Sequence, residues 1–250
     1  MAILETKNLV KRFDGVHAVD HLSIGFEKGM ITSVIGPNGS GKSTFINTLT
    51  GMLPIDGGAV HIGERTKLSK IEPHEVARYG ITRTFQDVRL FEQMPVLDNV
   101  LVVLTERNVP GALFEKHTKF HLEKAETVLR RVGLFEKRSE LAENLSYGQR
   151  KLLEIARTLA MAEGELGDIE IFFFDEPFAG LFPEMIKVVV SVMKELREKG
   201  KTVILVEHNM DLIRELSDHV YVLDSGKLLA SGTPAHVLAR PEVIEAYLGA

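Results

Sequence analysis

The 250-residue chain predicts an α/β fold, with a parallel-sheet core organised around a P-loop, an antiparallel β subdomain near the N-terminus and an inserted α-helical subdomain. Three observations predict it. A glycine-rich turn, Gly36-Pro37-Asn38-Gly39-Ser40-Gly41-Lys42-Ser43-Thr44, lies between an apolar run and a helix-compatible segment. Two further apolar runs, Ile171–Phe174 and Thr202–Glu207, read as strands covered on both faces of a parallel sheet. Between these blocks, from Asp87 to about Glu143, the pattern turns helical.

Taken in order, Leu22, Ile24 and Phe26 alternate with His21, Ser23 and Gly25 as in a half-buried strand. Glu27-Lys28-Gly29 turns the chain into the strand Met30–Ile35, which enters the glycine-rich turn, and a helix over Lys42–Thr50 leaves it and stops at Gly51. Ile55 to Val60 has turn chemistry leading to a short strand, Val60–Ile62, then a helical stretch near Pro73–Tyr79 and a strand over Gly80–Gln86. In the helical block the longest strand candidate is Val100–Leu104, while Leu122, Ala125, Val128, Leu129 and Val132 fall on one helix face. The core resumes with helices over Gln149–Ala162 and Glu184–Lys199, the second ended by Gly200. Val220–Leu223 and Lys227–Ala230 form a hairpin, and Pro234 and Pro241 each open a short terminal helix. This divides the chain into a nucleotide-binding core with its β subdomain, residues 1–86 and 150–250, and a helical subdomain, residues 87–149.

Composition narrows the classes of function. Hydrophobic residues make up 44% and charged residues 26%, ordinary for a globular protein. A net charge of -5 without a run of like charges argues against nucleic acid as the main partner. No cysteine is present, which excludes disulfides and thiolate metal sites. Met1–Val10 carries Glu5 and Lys7 and is not expected to be a signal peptide. No apolar run approaches the ~18 residues of a membrane span, so any membrane crossing falls to other chains.

The glycine-rich turn fits G-x-x-x-x-G-K-[ST]. Gly36, Gly39 and Gly41 let the backbone turn tightly so that N–H groups face phosphates, and the helix N-terminus adds partial positive charge there. Lys42 is placed to reach the β- and γ-phosphates of a nucleotide and Ser43 to ligate Mg²⁺. Asp175 and Glu176 follow a buried strand, where one carboxylate can hold the metal, directly or through water, and the next can orient or deprotonate a water. Leu145-Ser146-Tyr147-Gly148-Gln149 precedes the strong helix, with Ser146 as N-cap and Gln149 at the third helical position forming a capping box; such an N-terminus can also face an anion.

The P-loop, Gln86 at a strand end, Leu-Ser-x-Gly-Gln, Asp-Glu and His208 after a strand occur in an order and spacing that closely resemble the nucleotide-binding subunit of ABC transporters, over the whole chain. The resemblance implies the ABC ATPase fold with its RecA-like core, ATP and Mg²⁺ as ligands, and two chains that sandwich two ATP molecules head to tail. It implies that Ser146, Gly148 and Gln149 complete the ATP site of a second subunit. Gln86 would sense Mg²⁺ and the attacking water and link to the membrane partner; His208 would contact the γ-phosphate. Asn38, Ser40 and Thr44 would belong to the phosphate cradle, Ala179–Phe182 to the dimer seam, and Phe13 would stack on adenine. Phe13 and His208 keep structural readings as core and strand-end residues.

A narrower resemblance rests on Gly80–Phe91, Met94–Val100 and the ending Val243–Gly249, which look like the ATP-binding subunits of branched-chain amino-acid importers. It implies two transmembrane permease subunits, a solute-binding protein acting indirectly, a sister ATPase or a second copy of this chain, and a peripheral position at the cytoplasmic face of the inner membrane. Related subunits for urea or lipopolysaccharide export share much of the pattern. Three departures stand out: Tyr147 where the wider family usually has glycine, a long acidic stretch Glu163–Glu170, and Phe182 in place of a polar seam residue. A soluble ABC-type ATPase would carry coiled-coil insertions or a second cassette, and a GTPase would carry Asn-Lys-x-Asp; neither is present. A cassette that binds without turnover stays open because of Tyr147. Val88, Leu90 and Phe91 read equally as docking surface or subdomain core.

Overall fold

In the computed structural model, residues 2–63, 66–84, 89–104, 119–163 and 169–248 are described. Two sheets account for the described strands. The first is antiparallel: β1 (Ala2–Phe13) pairs with β2 (Val16–Leu22), β3 (Gly25–Glu27) and β5 (Gly57–Ile62), and β6 (Thr66–Leu68) pairs with β5. The expected single strand through Leu22–Phe26 is thus two. Thr6 explains the break, because its hydroxyl accepts from Ile24 N–H at 3.1 Å while lying 3.0 Å from Leu22 C=O, holding residues 22–24 as the chain passes from one stretch of β1 to another.

The second sheet has the order β11-β10-β4-β9-β8-β7, parallel except for the β10–β11 hairpin. Its members are β4 (Ile31–Ile35), β7 (Ile81–Arg83), β8 (Ile171–Asp175), β9 (Thr202–Val206), β10 (His219–Asp224) and β11 (Lys227–Gly232). β4, β8 and β9 are buried at every residue, as central strands covered on both faces require. Their alternation assigns the faces: Ile171 and Phe173 pack toward α1 (Lys42–Leu49) and the antiparallel sheet, whereas Phe172 and Phe174 pack toward the other helices.

That second face carries α2 (Val96–Leu104), α3 (Lys119–Arg131), α4 (Tyr147–Glu163), α5 (Pro183–Glu198) and α6 (Met210–Leu216), all in one continuous apolar cluster with Val203 and Leu205. The strand candidate Val100–Leu104 is therefore the end of a helix. Its branched side chains pack against α3 and α4 rather than strands, and buried Asn99 bonds the carbonyls of Phe91, Met94 and Pro95 and accepts from Phe91 N–H, pinning the loop before α2. On α3, Ala125, Val128 and Leu129 are buried as expected, as is Val132 just beyond it, but Leu122 is 37% exposed and His121 occupies the buried side. The helical stretch near Pro73 contracts to a 3₁₀ turn, Val76–Tyr79, closed by Gly80 at φ 71°. The hairpin and the terminal helices α7 (Pro234–Val237) and α8 (Pro241–Leu248), each with proline at its start, form as expected.

Register positions the chemistry. Val34 of β4 and Asp175 of β8 both align with Val206 of β9. The segments leaving these three strands, beginning at Gly36, Glu176 and Glu207, therefore emerge together at the carboxyl edge of the sheet, where ligands of open α/β sheets bind.

Candidate nucleotide site

The loop from Gly36 to Gly41 is shaped by close backbone approaches. A side chain at Gly36 would fall 2.1 Å from the Leu223 carbonyl oxygen, and one at Gly41 would fall 2.2 Å from that of Ala18, with φ at 153° and 98°. Only glycine fits either place. α1 starts directly after Gly41 with no side-chain cap and no acidic residue in its first turn, so its N-terminus is suited to an anion. Lys42 Nζ donates to the carbonyls of Gly36 at 2.8 Å and Pro37 at 2.9 Å. Burial pushes its pKa down, and the carboxylates of Glu176 and Asp175 oppose that shift.

Asp175, at the end of β8, is nearly buried and pairs with Arg83 at 3.3 Å through Oδ2, while its N–H donates to Thr84 Oγ1. Burial raises its pKa, and the Arg83 guanidinium holds it down in part. Its second oxygen, Oδ1, is buried without a hydrogen-bond partner among the described residues. A carboxylate oxygen left this way fits a divalent cation or its water, so the donor set agrees with Mg²⁺. Arg83 also bonds Asn47 at 2.8 Å and Thr50 at 2.7 Å, tying the strand end to α1.

Glu176 has φ 47°, in the left-handed region that side chains rarely adopt. Its N–H donates to Val206 C=O at 2.9 Å, its C=O accepts from Lys151 Nζ at 2.6 Å, and its Oε1 lies 3.0 Å from His208 Nε2. The backbone turn aims the carboxylate into a cleft of about 270 Å³. Asn38, Gly39, Gly41 and residues 42–44 line one side of it, Glu176 and His208 the other, and Ala18 completes it. A larger, mostly apolar groove of about 560 Å³ opens beside Arg89, Leu90, Phe91 and Arg157. Donor chemistry rather than size marks the smaller cleft as the nucleotide site.

Ser146 and Gln149 form the expected capping box: Ser146 N–H donates to Gln149 Oε1 at 3.0 Å, and Gln149 N–H donates to Ser146 Oγ at 3.3 Å. The 145–149 segment does not line the cleft beside the P-loop. Tyr147 packs its ring over Gly180, where an added Cβ would come within 2.8 Å of it, yet the side chain stays 54% exposed. Phe182 precedes α5 without a side-chain capping hydrogen bond and is 69% exposed. Phe13 is 44% exposed, which removes the core reading, and Lys11 Nζ lies 5.3 Å from its ring centroid. Gln86 and most of Glu163–Glu170 fall outside the described residues. Sequence reasoning missed Arg83 and Lys151, whose partners lie 92 and 25 residues away.

Residues 19–179 match the family described as ABC transporter. The chain belongs to that family. Residues 227–250 further match the description branched-chain amino acid ATP-binding cassette transporter. Among curated relatives of this ABC subunit, a probable branched-chain amino acid transport ATP-binding protein LivG of Archaeoglobus fulgidus is 40% identical, covering 100% of this chain and 96% of that protein. The high-affinity LivG of Salmonella typhimurium is 39% identical over 99% of this chain and 98% of its own. Among solved structures, one described as a nucleotide-free ATP-binding cassette from an ABC transporter is 36% identical with a TM-score of 0.85, and one described as the ADP conformation of an ATP-binding cassette of an ABC transporter is 37% identical with a TM-score of 0.84; each pair covers both chains fully. This ABC chain therefore has the expected cassette fold, and ATP binding and hydrolysis are the activities of its family.

Proposed function

We propose that this ABC subunit hydrolyses ATP to energise uptake of a small solute, branched-chain amino acids being the class named for its relatives. The observation that carries the reading is the convergence of Lys42, Glu176 and His208 on one cleft, while Ser146, Gly148 and Gln149 sit at a helix end that does not line it. A second chain placed head to tail supplies those residues to the γ-phosphate side of the cleft. ATP then joins two chains, either two copies or this chain with a sister ATPase, and hydrolysis releases them.

In this reading the amides of Gly36–Thr44, with Asn38, Gly39, Ser40 and Gly41 shaping the turn, cradle the phosphates, and Lys42 neutralises the β- and γ-phosphates. Phe13 offers its exposed ring to adenine. Ser43, Asp175 and Gln86 would hold Mg²⁺, which supplies charge neutralisation between the phosphates. Glu176 orients and deprotonates the attacking water, and His208, 3.0 Å from the Glu176 carboxylate, fixes that carboxylate and contacts the γ-phosphate. Asn38 and Thr44 line the same cleft.

Among the described residues no helix is long and apolar enough to cross a membrane; in this reading two permease subunits do the crossing, with a solute-binding protein acting through them. The 560 Å³ groove beside Leu90 and Phe91 offers them an apolar docking surface, and in this reading the chain sits peripherally at the cytoplasmic face of the inner membrane. The helical segment 87–149 acts as a subdomain that carries the 145–149 segment and lends Arg89, Leu90, Phe91 and Val103 to this groove, whose other lining residues, among them Arg83 and Arg157, belong to the core. The test is a mild-detergent pull-down of the tagged chain from its host's membranes. Recovery of two multi-span proteins with a binding protein for branched-chain amino acids supports the reading; recovery of soluble or DNA-associated proteins alone overturns it.

A further inference from the structure

Glu176 owes its aim to a backbone conformation that side chains rarely adopt, and its peptide units are held from neighbouring elements. Its N–H is bound to the end of β9 through Val206. Its C=O is bound by Ala179 N–H at 3.3 Å within the same turn and, from another element, by Lys151 Nζ at 2.6 Å. Lys151 is 3% exposed, and its ammonium lies among Glu154, Glu176, Glu207 and Asp175, a buried setting in which a cation is retained by surrounding carboxylates. The mechanism proposed above makes no use of it.

Lys151 stands one helical turn after Tyr147 on α4, and Tyr147 packs on Gly180. The two side chains thus reach the same short segment, Glu176–Gly180, at its two ends, one through the Glu176 carbonyl and the other through the Gly180 backbone. Lys151 Nζ also lies 5.8 Å from the Tyr147 ring centroid, so the pair forms a continuous bracket. The α4 end that bears the bracket also bears Ser146 and Gly148.

We propose that Lys151 is a positioning residue for ATP hydrolysis: its ammonium holds the Glu176 peptide so that the carboxylate stays aimed at the nucleotide cleft, and links that aim to the start of α4. The inference rests on the ATPase reading above. A shift of α4, driven by its N-terminal segment meeting the nucleotide of the opposite chain, moves the Glu176 carbonyl of its own chain. The two nucleotide sites of a pair are coupled through this contact.

The test compares steady-state ATP hydrolysis and ATP binding in the full chain, in Lys151→Met and in Lys151→Arg. Lys151→Met should lower kcat by about 10- to 100-fold, the usual cost of misplacing a reacting group by about 1 Å, while KM and the Kd for ATP stay within about twofold. Lys151→Arg, which keeps a cation able to donate to the carbonyl, should recover most of kcat. Turnover within about twofold of wild type in Lys151→Met overturns the proposal, as does a loss confined to ATP affinity. A loss equally large in both folded variants also overturns it, since packing alone would then explain the effect. A wild-type chain that does not hydrolyse ATP would instead sink the ATPase reading itself, a result distinct from any of these.

Discussion

Gly41→Ala tests whether the shape of the phosphate loop is set by backbone approach, and Gly39→Ala supplies its control. Both glycines have positive φ, 98° and 80°, so either alanine pays for an unfavourable backbone, about 1–2 kcal/mol. They differ in space. An added Cβ at Gly39 meets nothing within 4 Å, whereas at Gly41 it falls 2.2 Å from the Ala18 carbonyl oxygen. That pair must part by about 1.2 Å to reach ordinary contact, and neither partner is a side chain that can swing aside. Forcing a group into packed backbone typically costs a further 1–3 kcal/mol, roughly, so Gly41→Ala should lose about 2–5 kcal/mol and Gly39→Ala about 1–2 kcal/mol. Urea unfolding of the two variants measures the difference. Because Ala18 lines the cleft, the displacement should also lower kcat/KM for ATP by about 100-fold in Gly41→Ala. Equal unfolding midpoints for the two variants would refute the reasoning.

Arg83→Met should cost about 3–5 kcal/mol in urea unfolding, because it strands Asp175 without its buried cation and removes the bonds to Asn47 and Thr50; a loss under about 1 kcal/mol would contradict the pairing. Asp20 accepts from His21, His17 and Lys227, His21 contributing most, and its carboxyl is held down from the ordinary 3.8 to about 2. A folded-state pKa below the unfolded value stabilises the fold above the unfolded pKa, and that stability is lost as pH falls through the folded one. Wild type should therefore lose urea resistance relative to Asp20→Asn between pH 3.8 and about 2, and a constant difference across that window would contradict the assignment.

Local chemistry was legible in the sequence. The strand entering the P-loop, the capping box of Ser146 and Gln149, the Ile171–Phe174 strand and the prolines opening α7 and α8 each depend on neighbours within a few residues, and each formed as read. Val100–Leu104 misled because a run of branched residues suits a strand or a buried helix equally, and only packing against α3 and α4 decides. Leu22–Phe26 misled because alternation does not report which stretch of β1 each half pairs with. The convergence of Glu176 and His208 on the P-loop came from order along the chain, but the contacts that hold Asp175 and Glu176, from Arg83 and Lys151, join residues far apart in sequence and carry no local signature. Tyr147, the departure that keeps a cassette without turnover open, rests on Gly180 of its own chain, a contact that residue type alone does not announce.

The central claim is that ATP joins two of these chains and that Glu176 activates the water that separates them. Glu176→Gln in sedimentation velocity with MgATP, alongside steady-state hydrolysis, tests both parts at once. The account predicts turnover lower by about 10²- to 10⁴-fold and a stable ATP-retaining dimer, where wild type returns to monomer as ATP is consumed. A Glu176→Gln chain that stays monomeric with ATP bound, or that hydrolyses ATP at the wild-type rate, would contradict it.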